Sequence, residues 1–172
     1  MICDLLPAAD AKKAIKGLNL KTNAEEQRPV ADDQPFSAFV FKTIIDPFLG
    51  TINFLRVNSG TTKGISEAYV PNFDVTAKIG QFITLAGKNQ INVECFHAGD
   101  ICCVTKVGEL ATSASVCDRK NPIQYPQVEL PTPILYVAVV AKTKQDEDKI
   151  SGALQKLNVE DPSFEIRRNP ET

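Results

Sequence analysis

The chain has 172 residues, is 43% hydrophobic and 23% charged, and carries a formal net charge of −2. That length suits one ordinary domain, or one small domain with part of another, and the near-neutral balance gives no overall field that favours nucleic acid. The longest apolar runs, such as 134–141, fall far short of the roughly 20 residues needed to span a bilayer, and residues 1–7 lack the basic start of a secretory leader. No membrane partner and a cytoplasmic location are therefore expected.

Residues 1–33 are rich in Ala, Lys, Glu and Asp and poor in strand formers. Residues 8–16 are predicted as a short helix and 21–33 as a polar connection. From Pro35 to about Leu130 the pattern is all-β. Phe36, Ala38 and Val40 alternate with Ser37, Phe39 and Phe41, so both faces are fairly apolar, as for a strand packed on two sides. A Pro47–Gly50 turn leads to a second strand, in which Thr51, Asn53, Leu55 and Val57 alternate with Ile52, Phe54 and Arg56; Asn58-Ser59-Gly60 closes it. Further strands are predicted over 77–85, 93–97 and 101–107, with turns at 87–89 and 98–100. Short strands at this spacing suggest a closed barrel or a sandwich, and closure would hide apolar strand edges.

Pro131-Thr132-Pro133 is a stiff hinge that cannot continue a central strand. Residues 134–140 then read as a strand. Thr143 with Asp146 three residues later fits a helix-capping box, and Asp146, Glu147 and Asp148 suit the positive end of a helix dipole. Ile150, Ala153, Leu154 and Leu157 fall on one apolar face, Asp161-Pro162 marks the exit, and 164–168 is a further strand candidate. The result is a βαβ pattern. Neither GxxxxGK[ST] nor GxGxxG occurs anywhere in the chain, so no phosphate loop is present.

These blocks resemble elongation factor G, the translational GTPase, in order and over almost the whole chain. The stretch from Pro35-Phe36-Ser37-Ala38-Phe39 through Asp46-Pro47-Phe48-Leu49-Gly50 to Asn58-Ser59-Gly60 resembles the start of its second domain, a β-barrel. Lys78-Ile79-Gly80-Gln81, Gly87-Lys88-Asn89 and Ala98-Gly99-Asp100-Ile101 are similar to later barrel segments. Lys142-Thr143-Lys144, Ala153-Leu154-Gln155-Lys156-Leu157 and Glu160-Asp161-Pro162-Ser163-Phe164 look like the opening of the third domain. Where the family has Thr-Gly-Asp-Thr-Leu-Cys-Asp, this chain reads Thr112-Ser113-Ala114-Ser115-Val116-Cys117-Asp118, which weakens the expected turn.

The resemblance implies a mainly β protein: a closed translation-factor-type β-barrel followed by a partial ferredoxin-like βαβ unit. Residues 1–33 would be the tail of a GTP-binding domain with its linker, 34–130 the barrel, and 131–172 a truncated third domain. The parent would bind GTP and magnesium and promote tRNA and mRNA translocation. This piece would hold no cofactor and would couple the missing GTP-binding domain to the ribosome, meeting small-subunit rRNA and proteins. In the family's topology the first strand of the third domain pairs with strands of its second half. Residues 134–140 would then carry unpaired edges, mobile or open to self-association. Two other readings stay open. One is a sister GTPase, such as a tetracycline-resistance ribosomal protection protein or a release factor GTPase. The other is a stand-alone RNA- or protein-binding barrel.

No catalytic or metal residue is assigned. Cys3, Cys95, Cys102, Cys103 and Cys117 form no CxxC pair, so they read as ordinary, mostly buried residues; Cys102 and Cys103 should face opposite sides of a strand. Asp32 and Asp33 read as a solvated linker, and His97, the single histidine, as a partly buried side chain in a turn. The run 146–148 is better explained by the helix dipole than by a metal. Phosphate contacts need only Lys or Arg on rigid elements, which makes Lys42, Arg56, Lys63, Lys78 and Lys88 the rRNA-binding candidates.

Overall fold

A computed structural model of the chain describes residues 5–8, 11–87 and 89–167. Its first regular element corrects the expectation of a helix followed by a polar connection. Strands β1 (Ala14–Asn19) and β2 (Ala24–Pro29) form an antiparallel hairpin. The turn is built by two asparagines. Asn19 Oδ1 accepts the amides of Lys21 and Thr22 at 2.9 and 3.3 Å, and Asn23 takes the left-handed φ of 55° that its short polar side chain tolerates. Long-range pairing overrides the helix preference of Ala and Lys here. A Cβ on Gly17 would lie 2.7 Å from Ile123 Cγ1, so only glycine lets β1 come this close to the chain at 123–124. Arg28, almost fully buried, locks the hairpin: its guanidinium donates to Glu26 Oε1 at 2.9 Å and to the Asn121 carbonyl at 3.3 Å.

The predicted pair of long strands is present as β3 (Ser37–Asp46) and β4 (Gly50–Ser59). Pro47 stiffens the turn, and Asp46 Oδ1 accepts the Phe48 and Leu49 amides at 2.8 and 2.9 Å, leaving Phe48 92% exposed. At the far end Gly60 is obligatory. Its φ is +69°, and an added Cβ would lie 2.6 Å from the Gln34 carbonyl oxygen and 2.8 Å from Phe36 Cα.

Five shorter strands complete the main sheet up to the thiol-rich segment: β5 (Glu67–Val70), β6 (Val75–Lys78), β7 (Phe82–Ala86), β8 (Asn89–Asn92) and β9 (Ile101–Thr105). They are followed by β10 (Ser115–Cys117) and the short β11 (Ile123–Gln124). The expected single strand over 77–85 is broken at Ile79-Gly80-Gln81, and 93–97 is not a strand. Instead Phe96 is buried, with its amide on Thr62 Oγ1 at 2.9 Å, so that stretch fills the core rather than joining a ladder.

The main sheet runs β6-β5-β10-β3-β4-β9-β7-β8, and β11-β1-β2 forms a small second sheet. No ladder joins β6 to β7 among the described residues. The sheet nevertheless rolls into a barrel. Val40, Leu55, Val70, Ala77, Phe82, Val104 and Val116, one from each strand from β3 to β7 and from β9 and β10, share one core. Burying each larger aliphatic side chain stabilises the fold by about 1.5–3 kcal/mol. Outside the barrel, Ile52, Ile83 and Cys103 pack with Ile44 and Phe54. Cys117, Ile123 and Tyr125 pack with Ile15 and Phe39, fastening the small sheet to the outer face of β3. The two-sided packing expected of β3 is therefore present.

Of the βαβ pattern, the helix forms and the flanking strands do not. Helix α1 (Lys144–Glu160) starts as expected: Thr143 Oγ1 accepts the Asp146 amide at 3.3 Å and donates to its carboxylate at 2.7 Å. Residues 134–140 and 164–167 pair with no strand among the described residues, and Arg168 lies outside them. Ile134, Leu135 and Val140 are 94%, 79% and 84% exposed, because nothing within the described chain supplies a ladder partner.

Candidate nucleic-acid interface

The predicted basic residues are not gathered into one patch. Lys42 stands opposite Phe54 in the β3–β4 register, next to a bulge at Phe41. Arg56 follows Phe54 by two residues and so shares its outward face, while Leu55 and Val57 point into the core. Lys42 and Arg56 thus share the outer face of the β3–β4 pair, Lys42 opposite Phe54 and Arg56 opposite Phe39. Lys63 is exposed on the connection after β4. Lys78 is exposed on β6, opposite Glu67 in register and four strands from Arg56 in the sheet order. Lys88 lies outside the described residues.

Arg56 also lines a groove of about 530 Å³ between β1 and the outer faces of β3, β4 and β9. Lys16 and Ile15 form the hairpin side, and Phe39 and Phe41 the barrel side. Asn58, Ile101 and Tyr125 with Pro126 complete it. The aromatic walls are held from behind. Tyr125 meets Phe39 edge-on at 6.5 Å, and its hydroxyl shares a hydrogen bond of 2.6 Å with Ser37. Ser37 in turn contacts Ser59 Oγ at 2.6 Å, and Ser59 donates to the Pro35 carbonyl at 2.7 Å. Burial, the dominant influence, pushes the Tyr125 phenol above its usual value, so it stays a neutral hydrogen-bonding group. Phe41 leans on Phe54 at 6.2 Å and remains 42% exposed. Sequence reasoning missed Lys16 because residues 8–16 were read as a helix, and missed Tyr125 because it meets β1 only through the fold.

His97 is exposed rather than partly buried. Its Nδ1 lies 2.7 Å from Asp32 Oδ2, and Asp32 Oδ1 accepts the Ala98 amide at 2.9 Å. Asp32 is therefore not a merely solvated linker residue but a tie between the segment after β2 and the turn before β9. The Ala98 amide foremost, and then His97, hold its carboxyl below the usual value. The cysteines behave as expected where they are described. Cys102 lies in the barrel core and Cys103 in the outer cluster, on opposite faces of β9. Burial pushes their thiols up to about 12 and about 11, and that of Cys117 to about 11, so none is a reactive thiolate at neutral pH. Cys95 is half-buried, and Cys3 lies outside the described residues.

The sequence has no phosphate loop, and no group of three or more His, Cys, Asp or Glu side chains among the described residues could hold a metal ion. Nor is any helix among them long and apolar enough to cross a membrane.

The family model for elongation factor G domain 2 matches residues 35–119, and that for elongation factor G domain III matches residues 130–172. The first match spans the barrel from β3 to just past β10, and the second includes α1. A crystal structure of a protein from Thermus thermophilus is similar over 99% of this chain, with 27% identity and a TM-score of 0.75. This chain spans 23% of that one. Two consecutive domains of one factor, matched in order on a barrel of the expected build, place the chain in the family of elongation factor G-like translation factors.

Proposed function

We propose that this chain is the ribosome-docking portion of an elongation factor G-like GTPase, a rigid barrel that links a GTP-binding domain to the small ribosomal subunit. In this reading GTP and magnesium are bound by the GTP-binding domain, translocation of tRNA and mRNA is the work of the whole factor, and the barrel does no chemistry of its own. Its setting is the cytoplasm. Residues 1–33 belong to the link with the GTP-binding domain, and the exposed strip 134–140 takes a pairing strand from outside the barrel, a second copy included.

The observation that carries this reading is the two-domain match in order along one chain. Lys42 and Arg56, on the outer face of one two-stranded surface, suit phosphate contact, which needs fixed cations and no base code. Lys63, Lys78 and Lys88 are assigned weaker, separate contacts.

Co-sedimentation with small ribosomal subunits tests the proposal. The chain should pellet with the subunits at low salt and be released as salt rises. The double reversal Lys42→Glu with Arg56→Glu should lower binding more than Lys63→Glu with Lys78→Glu. Failure of the unaltered chain to pellet, or indifference to both reversals, would end this reading.

A further inference from the structure

The groove beside β1 is more elaborate than a phosphate-docking face requires. Its volume of about 530 Å³ matches a site for one small organic unit. Two cations, Lys16 and Arg56, border it, and no carboxylate is among its lining residues. Between them lie apolar surfaces that the fold leaves uncovered: Phe41 is 42% and Ile101 56% exposed. Phe39 and Tyr125, braced against each other, form a fixed aromatic wall.

A ligand that satisfies all of these features carries a flat π-face together with negative charge. Phosphate alone would leave Phe41 and Ile101 in water, and carboxylate side chains offer no large flat face to cover them. A nucleotide has both. In a duplex the bases are stacked and cannot enter a groove of this kind, whereas single strands splay bases onto aromatic side chains. We propose that the groove takes one unstacked nucleotide of a single-stranded RNA, with the base against Phe41 and Ile101 and the phosphate between Lys16 and Arg56. Lys16 is paired with Glu25 at 3.0 Å, but both side chains are about two-thirds exposed. A solvated pair of that kind is weak, so a phosphate displaces the carboxylate at little cost. This inference rests on the ribosome-docking reading for its class of partner, and it assigns to Arg56 a second contact beyond the backbone of structured rRNA.

The test is fluorescence anisotropy of the whole chain with labelled octauridylate, an abasic octamer of equal charge, and an octamer duplex. Octauridylate should bind more tightly than either control. Phe41→Ala should weaken octauridylate roughly 5- to 100-fold, the worth of one base–aromatic contact, and Ile101→Ala, at a second exposed but aliphatic site, should weaken it by less. Neither should change abasic binding. Lys16→Ala should reduce the salt slope by about 0.7, the loss of one single-strand phosphate contact. Equal affinity for the abasic octamer or the duplex, or indifference to both Phe41→Ala and Ile101→Ala, overturns the proposal. So does full displacement by an acidic peptide of matched charge. Co-sedimentation keeps the two readings apart. A Phe41→Ala chain that pellets with subunits, in a system where octauridylate binding is insensitive to it, removes the groove and leaves docking intact. Octauridylate binding in the groove without subunit binding does the reverse.

Discussion

Residues 35–125 and residues 126–167 contain similar apolar stretches, yet they behave oppositely. Val40, Leu55 and Val104 are fully buried, whereas Leu135, Val137 and Val140 are 79%, 76% and 84% exposed. The strand preference of Ile, Val and Tyr is as strong in the second region as in the first. What differs is the supply of neighbours. β3 has β4 along its whole length and β10 at its start, while 134–140 has no ladder partner among the described residues. A strand is stabilised by cross-strand pairs and by a face to bury, and its own residue preferences are secondary.

Four tests break or sharpen this contrast. The largest difference is expected between two leucines. Leu55→Ala should cost about 3 kcal/mol in chemical denaturation, because it leaves a cavity in a closed core, whereas Leu135→Ala should stay within about 0.5 kcal/mol. Equal effects would mean that the strip 134–140 is packed in solution. Next, Gly60→Ala should lower stability by about 2 kcal/mol, since it adds a clash with backbone atoms to a left-handed φ. A thermal melt of the purified variant checks this, and an unchanged midpoint would show that the 34–36 segment does not lie against Gly60.

A smaller effect of opposite sign is expected at Ser113. Its φ is +69°, at the position where the family segment it resembles has glycine. Ser113→Gly should raise stability by about 0.5 kcal/mol, the relief of a left-handed residue less the backbone entropy of glycine and a long bond of 3.4 Å from the Val128 amide to its hydroxyl. The smallest effect concerns pH. Asp32 has a depressed carboxyl pKa in the folded chain. Its stabilisation is therefore present above the ordinary value of 3.8 and is lost as pH falls through the depressed value. Asp32→Asn should flatten that acid limb in melts recorded from neutral to acid pH. An identical acid limb in the variant would show that the tie to Ala98 and His97 does not persist in solution.

Much of the barrel was legible in the sequence because β3, β4 and β9 state their own period. The alternation at Leu55 and Val57 marks the core face, and the adjacent Cys102 and Cys103 divide between two clusters as a period of two requires. The Thr143 cap and the helix after it were equally plain, since capping depends on neighbours three residues apart. The hairpin at 14–29 was hidden for the opposite reason. Its determinants are Gly17 against Ile123 and Arg28 against the Asn121 carbonyl, contacts between distant parts of the chain that no local window contains. β10, with three residues, is too short to show a period at all. Of the candidate cations, Lys42 and Arg56 lie on the outer face of one strand pair, whereas Lys63 and Lys78 lie elsewhere. The groove that Arg56 lines was not legible, because half of it is made by the hairpin.

One bond at the margin of the barrel has a wider consequence. Beyond Val40, on the side away from β4, no strand pairs with β3 among the described residues. There the Ile45 amide donates to Glu160 Oε1, at the end of α1, at 2.6 Å. A helix carboxylate thus acts as a stopper on an otherwise open sheet margin. That single bond anchors the last residue of α1 to the rim of the barrel and occupies a backbone donor that no strand takes among the described residues.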